Sequence, residues 1–169
     1  MSNLVYELIV AMDEMSGIGK NGVMPWYVPD DLKFFKSKTE HNIIIMGRKT
    51  FDSLPHKKPL KNRLHIVLTR KPTEECVPYS NVIYTDTIEW IHNFIPPAKY
   101  GTYLNENPIK YVVGGLEIYN LFFSQCRHLW ITSISGVYDC DVFFTPPLDG
   151  MKREIIKKTS AYTVEHYTR

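Results

Sequence analysis

The apolar residues of this chain fall into short continuous runs, and mixed segments that open on proline, acid or glycine separate them. Leu4 to Met12 (LVYELIVAM) is apolar except at Glu7. It predicts a strand near the centre of a sheet, covered on both faces. Residues 13 to 28 read as a long loop. Pro29 then suits a first helical turn, and Asp30 and Asp31 favour the positive end of a helix running to about Lys38. Asn42 to Met46 (NIIIM) is a second buried strand, and Gly47-Arg-Lys-Thr50 begins a short helix ending near Ser53-Leu54-Pro55. Leu64 to Leu68 and Val82 to Tyr84 predict two further strands. Thr87 is a good N-cap for a helix over Ile88 to Ile95, stopped by Pro96-Pro97. The polar stretch Ala98 to Asn107 is expected to be an exposed insertion. Ile109 to Val113 is a strand, Gly114-Gly115 follows it, and Leu116 to Phe123 is a helix. His128 to Ile134 is a strand, and Arg153 to Lys158 with Ala161 to Tyr167 forms a terminal hairpin. Eight strands that alternate with helices until the tail predict one α/β domain over residues 1–169. Its central eight-stranded sheet is mostly parallel, with an antiparallel C-terminal edge hairpin.

Composition narrows the function classes. A length of 169 residues suits one domain, and 44% hydrophobic residues allow a substantial core. A net charge of +2 with 22% charged residues supplies no concentrated basic face, which argues against nucleic-acid binding. No apolar run reaches spanning length, and the N-terminus lacks the basic-then-apolar order of a signal peptide. Cys76, Cys126 and Cys140 are odd in number and widely spaced, which fits a reducing compartment better than a disulfide framework or zinc site. The expectation is a cytoplasmic monomer without a bound metal. The six histidines form no ligand pattern, and each is expected to be a surface or partly buried structural residue.

Gly17-x-Gly19-x-x-Gly22 matches the dinucleotide fingerprint in letter only. That motif must open a helix, and Val23-Met24-Pro25-Trp26 does not begin a regular one. These glycines are read as a mobile loop acting as a lid. Three strand ends are better anion candidates. Gly47-Arg48-Lys49-Thr50 and Thr69-Arg70-Lys71 carry cations, and Val113-Gly114-Gly115 allows a ligand close to the backbone. Together they suit a dinucleotide carrying an additional phosphate. Asp31 stands four residues before Phe35, so the two share a helix face. If that face points into a cleft, burial would keep Asp31 partly protonated near neutral pH, as help with protonating a buried nitrogen base requires.

In combination the motifs resemble the dihydrofolate reductase family. They are Ile18-Gly19-Lys-Asn-Gly22 through Met24-Pro25-Trp26, Pro29-x-Asp31-Leu32-x-x-Phe35, Met46-Gly-Arg-Lys-Thr50-Phe, Pro59-Leu60-Lys-Asn-Arg63 through Val67-Leu-Thr-Arg70, Val113-Gly-Gly115 with Tyr119, and Thr132 with Asp141. The resemblance runs from Leu8 to Phe144 and beyond into the hairpin. It implies helices on both faces of the sheet and NADPH-dependent reduction of 7,8-dihydrofolate to tetrahydrofolate. Hydride would pass to pterin C6 and a proton to N5. The protein need only place two rings face to face and assist one proton.

Residue by residue, the resemblance implies that Asp31 bonds the pterin 2-amino group and N3 and supports water-borne protonation of N5. Thr132 would bond the Asp31 carboxylate, Trp26 would bridge to it through water, and Met24 would close over the nicotinamide. The carbonyls of Ile9 and Val113 would face the pterin, with Val10 and Ala11 beside it. Phe35, Leu54 and Leu60 would wall the aminobenzoyl group, and Arg63 would clamp the glutamate α-carboxylate. For the cofactor, Ala11, Ile18 and Tyr119 would lie near the nicotinamide end, and Thr50 with Gly115, Leu116, Glu117 and Ile118 would hold the diphosphate. Arg48, Lys49 and Arg70 would meet the 2′-phosphate, with Gly47, Leu68 and Thr69 beside them. Gly114-Gly115 matches a family site with a cis peptide bond. Glu117 departs from the small or basic residues often found there, which leaves only the backbone as a diphosphate contact. Two rivals carry less of the pattern. One is a same-fold reductase of a pyrimidine or ribityl substrate, against which Arg63 and the Asp31–Phe35 pair speak. The other is a non-catalytic nucleotide-binding protein, against which Asp31, Trp26, Thr132 and Tyr119 speak.

Overall fold

The computed structural model describes residues 5–72 and 76–169; Leu4, expected to begin the first strand, lies outside them. Strand β1 (Tyr6–Met12) leads through β2 (Gly17–Gly19) to helix α1 (Pro29–Thr39). Then come β3 (Ile43–Gly47), α2 (Arg48–Asp52), β4 (Leu64–Leu68), β5 (Val82–Thr85) and α3 (Ile88–Asn93). The chain continues through β6 (Lys110–Val112), α4 (Leu116–Phe122), β7 (Cys126–Ile134), β8 (Val142–Phe143), β9 (Lys152–Lys158) and β10 (Tyr162–Thr168). Eight strands form one sheet in the order β5-β4-β3-β6-β1-β7-β10-β9. Every pairing from β5 to β7 is parallel, and β10 runs antiparallel to both β7 and β9.

Strand alternation divides the core between the two faces. Tyr6, Leu8, Val10 and Met12 of β1 pack with Ile91 of α3 and with Ile118, Tyr119 and Phe122 of α4. Ile9, Ile44, Met46 and Val67 turn the other way, toward Phe34 and Phe35 of α1 and Phe51 of α2. Ile43, Ile44, Ile45 and Met46 are all wholly buried, each worth about 1.5–3 kcal/mol relative to exposure. The one polar residue of β1 has partners of its own. Glu7 Oε1 accepts from Trp130 Nε1 at 3.3 Å, and the Tyr111 hydroxyl also bonds its carboxylate. The strand order turns back at β6, which inserts between β3 and β1 before the chain crosses to β7. Ligand crevices in open α/β sheets form outside the carboxyl ends of strands at such a switch.

Several expectations need correction. The loop over residues 13 to 28 contains β2, which pairs antiparallel with β8 in a separate two-stranded sheet. Neither strand was foreseen, because three and two residues are too short to show a period. Thr87 occupies the N-cap position without capping: its hydroxyl donates to Asp86 Oδ1 at 2.9 Å. Helix α3 stops at Asn93, two residues short of the expected end, as a residue preceding proline disfavours helical backbone. Residues 98–107 are mostly exposed, as expected, but three of them anchor the stretch to the core. Tyr100 is buried in the main core, Tyr103 and Leu104 pack against it, and Asn105 N donates to His41 O at 2.8 Å.

His65 also departs from expectation, being completely buried on β4. Leu60 N donates to its Nε2 at 2.9 Å, so that nitrogen is unprotonated, and Nδ1 donates to Asn81 O at 3.2 Å. Burial, aided by the nearby Arg63 charge, pushes the imidazole down to about 4 despite the Asn81 bond. The unfolded chain binds a proton at this residue below about 6.5, and the folded chain does not until about 4. Stability is therefore expected to fall as pH drops through that window, by about 3 kcal/mol from this residue alone. Urea denaturation between these pH values checks it: the slope should be shallower in His65→Gln, which has no proton to bind.

Candidate active site

The carboxyl ends of β1, β6 and β7 and the first turn of α1 meet around one acid. Asp31 lies in that first turn, and Thr132 of β7 is buried, paired with Ala11 in the sheet. The Thr132 side chain bonds the Asp31 carboxylate. Burial raises the Asp31 pKa and the Thr132 bond only partly offsets it, so the carboxyl titrates above the usual carboxylate range. Tyr119 of α4 donates its hydroxyl to Ile9 O at 2.9 Å. Its phenol is pushed well above the ordinary value by burial first and by the Asp31 charge second, which keeps it a neutral donor. Asp31, Thr132, Tyr119 and the end of β1 are thus neighbours.

Phe35, Leu54, Leu60 and Val113 are half-buried against the same cluster as Ile9. Val10 instead turns its side chain to the α4 face, so its backbone alone belongs to this side. Ala11 packs with Trp26, Ile134 and Tyr162. Trp26 is buried edge-on against Tyr138, with ring centroids 5.5 Å apart, and its indole N–H has no acceptor among the described residues. Arg63 is buried beyond Leu60: Nε donates to Lys61 O at 2.8 Å and Nη1 to Thr39 Oγ1 at 3.2 Å. Two of its five donors are fixed, and that orients the guanidinium. Met24 is half exposed in the glycine-rich segment.

The ends of β3 and β6 form a side-chain-free cradle. The Gly114–Gly115 peptide is cis, and Gly47 N donates to Gly114 O at 3.0 Å. A methyl at Gly114, where φ is +120°, would stand 3.2 Å from the Tyr119 hydroxyl. One at Gly47 would stand 3.3 Å from Ile118, and one at Gly115 3.5 Å from Thr50 Oγ1. Arg48 lies at the end of β3, where Nε meets Asp52 Oδ1 at 3.2 Å and Nη1 meets Cys76 Sγ at 3.3 Å. Burial lowers its pKa, but the Asp52 bond and charge prevail and raise it. Lys49 is exposed, and Thr69 N donates to Thr85 O at 2.9 Å just past β4. Arg70 projects into solvent and meets the Glu117 carboxylate at 3.8 Å. Three glycines thus leave bare backbone at the ends of two neighbouring strands, and the cations of two adjacent strand ends stand beside it. Those features fit a dinucleotide phosphate.

A family model described as dihydrofolate reductase matches residues 5–168. The chain belongs to the dihydrofolate reductase family. Among curated relatives, the fruit fly (Drosophila melanogaster) dihydrofolate reductase is 33% identical over 162 residues, covering 90% of this chain and 85% of its own. The maize (Zea mays) bifunctional dihydrofolate reductase-thymidylate synthase is 34% identical over 154 residues. That match covers 85% of this chain, which spans 29% of the length of the maize protein. Among solved structures, dihydrofolate reductase from Enterococcus faecalis complexed with NADP(H) and RAB-propyl superposes with a TM-score of 0.75 at 30% identity. The superposition covers 99% of this chain and 97% of that one. The eight-stranded sheet with its antiparallel edge is thus a dihydrofolate reductase fold.

One residue of this dihydrofolate reductase fold escaped the sequence reading. Asp13 is almost fully buried, and its Oδ1 accepts from Met15 N at 2.9 Å and Gly17 N at 2.8 Å. Its Oδ2 accepts from Tyr138 N at 2.9 Å. Burial pushes this carboxyl up, but the backbone donors outweigh it and hold it below the ordinary value. The base of the glycine-rich segment is therefore tied down. Farther along, Asn21 N donates to Asp141 Oδ2 at 3.0 Å and Asp141 N to Gly19 O at 3.0 Å. Asp13 gave no signal because an acid just after a strand looks like an ordinary turn residue.

The raised Asp31 pKa sets the sign of a stability effect. The unfolded chain releases this proton at lower pH than the folded one, so ionised Asp31 costs stability at neutral pH and the cost vanishes under acid conditions. Asp31→Asn is therefore expected to melt above the parent at pH 7, with the gap closing as pH falls toward the ordinary carboxylate range. Thermal melts of both proteins across pH test this; a lower melting temperature for the variant at pH 7 would contradict it.

Proposed function

We propose that this chain catalyses NADPH-dependent reduction of 7,8-dihydrofolate to 5,6,7,8-tetrahydrofolate, as a monomeric single domain in the cytoplasm. The observation that carries this reading is Asp31: a half-buried carboxyl bonded by Thr132 and near Tyr119, whose hydroxyl also borders Gly114 of the glycine cradle. When bound, NADPH supplies the hydride that goes to pterin C6.

The residues of the chain do the rest. Asp31 bonds the 2-amino group and N3 of the pterin and, as an acid of raised pKa, favours protonation at N5 through water. Thr132 orients the carboxyl, and the indole N–H of Trp26, which lacks a partner among the described residues, holds the water beside it. The carbonyls of Ile9 and Val113, with Val10 and Ala11, border the pterin. Tyr119 fixes the Ile9 carbonyl. Phe35, Leu54 and Leu60 wall the aminobenzoyl ring, and Arg63 presents its remaining donors to the glutamate α-carboxylate. Thr50 and the backbone of Gly115 to Ile118 hold the diphosphate, with Gly114 beside them. Arg48, Lys49 and Arg70, with Gly47, Leu68 and Thr69, take the 2′-phosphate. Met24 and Ile18 restrict water over the reacting rings.

The test is the loss of NADPH absorbance when dihydrofolate is added. Turnover at neutral pH is expected to drop roughly a hundredfold or more in Asp31→Asn, with a smaller loss at acid pH where the substrate itself is protonated. Binding of NADPH without oxidation in the parent would refute the reaction. Arg63→Leu is expected to raise the KM for dihydrofolate about tenfold to a hundredfold, as loss of a charge-assisted bond should, while the KM for NADPH holds. Equal rises for both ligands would make Arg63 structural.

A further inference from the structure

Beneath the Leu60–Arg63 loop, two buried side chains close a circuit of hydrogen bonds. Leu60 N donates to His65 Nε2 at 2.9 Å. Asn81 Nδ2 donates to Leu60 O and to Arg63 O, both at 3.1 Å. The Asn81 carbonyl accepts from His65 N at 2.9 Å and from His65 Nδ1 at 3.2 Å. Both side chains are buried, His65 completely. The loop is thus fastened at its first residue by donor and acceptor alike, and again at its last. No bond of this circuit reaches the Arg63 guanidinium, which is held separately by Lys61 O and Thr39 Oγ1.

We infer that Asn81 and His65 are positioning residues for the glutamate end of the substrate: by holding both ends of the loop they fix where the Arg63 guanidinium stands. This rests on the assignment of Arg63 proposed above. Asn81 joins the carbonyls at the two ends of a four-residue loop. A guanidinium aimed at a carboxylate is sensitive to such anchoring, since a displacement of about 1 Å can cost up to roughly a hundredfold. His65 contributes through shape and tautomer. Its Nε2 must be an acceptor toward Leu60, and the Asn81 carbonyl secures that by taking the Nδ1 proton.

The experiment compares the parent with Asn81→Ala, Arg63→Leu and the double variant on two substrates. One is 7,8-dihydrofolate and the other 7,8-dihydropteroate, which lacks the glutamate. Asn81→Ala is expected to raise the dihydrofolate KM about tenfold, with kcat and the KM for NADPH within about twofold. With dihydropteroate, or in the Arg63→Leu background, the rise should fall below about threefold, because the two residues act on one contact. His65→Gln, whose amide oxygen can still accept from Leu60 N, should stay near the parent. If Asn81→Ala does not fold, Asn81→Ser reads the same split with one donor retained. An unchanged dihydrofolate KM in a folded Asn81 variant overturns the inference, as do equal rises with both substrates. If Arg63→Leu itself leaves the dihydrofolate KM unchanged, the assignment of Arg63 fails instead.

Discussion

The arrangement depends first on one hydroxyl. Tyr119 lies in the short helix after β6, yet its oxygen is bonded to the carbonyl of Ile9 in β1. The bond runs from α4 to the central strand and fixes how closely the helix sits on the sheet. Gly114 must then pass beneath the ring, where a methyl would come within 3.2 Å of the hydroxyl and where the backbone has a positive φ. Glycine answers both demands at once. With Gly114 in place its carbonyl accepts from Gly47 N, which draws the end of β3 to the end of β6. The cradle and the acid site therefore share a wall. Their spacing comes from a buried phenol that stays un-ionised because burial and the neighbouring acid both oppose its charge.

Most of the fold was legible because its strands are covered on both faces and read as apolar runs. The eight strands of the main sheet, the four helices and the antiparallel tail all follow from that texture and from proline and glycine punctuation. The failures have a common cause. β2 and β8 are held by pairing with each other across more than a hundred residues, and no local pattern encodes a partner that distant. Residues 98–107 are mostly exposed, as their polar composition suggests, yet Tyr100, Tyr103 and Leu104 within them pack inward, which composition alone does not show. Burial of His65 was invisible for a related reason: its cost is offset by a backbone N–H and a carbonyl from elsewhere in the chain.

At the site, the grouping of residues around the expected acid was legible, and Asp13, whose carboxylate accepts from backbone N–H groups of two distant loops, was not. Asp31, Thr132, Tyr119 and Arg63 carry distinctive groups at recognisable places, and the structure brings the first three together with Arg63 beyond the apolar wall. The orientation of Val10 shows the limit of a motif. It lies in the expected segment, but strand alternation sends its side chain to the other face. Arg48 and Arg70 stand at the expected strand ends, and both have carboxylate neighbours, Asp52 and Glu117, that the sequence left unconnected to them.

Asp13 divides its two oxygens between two segments that are far apart in the chain. Oδ1 is committed to Met15 and Gly17, and Oδ2 to Tyr138. The carboxylate acts as a yoke. If the glycine-rich segment shifts while keeping its bonds, the carboxylate moves with it and so does the loop carrying Tyr138, on which the Trp26 ring rests edge-on. The two loops and the tryptophan then have fewer independent motions than their number suggests, and a perturbation entering through any one is felt by the others through a single planar group.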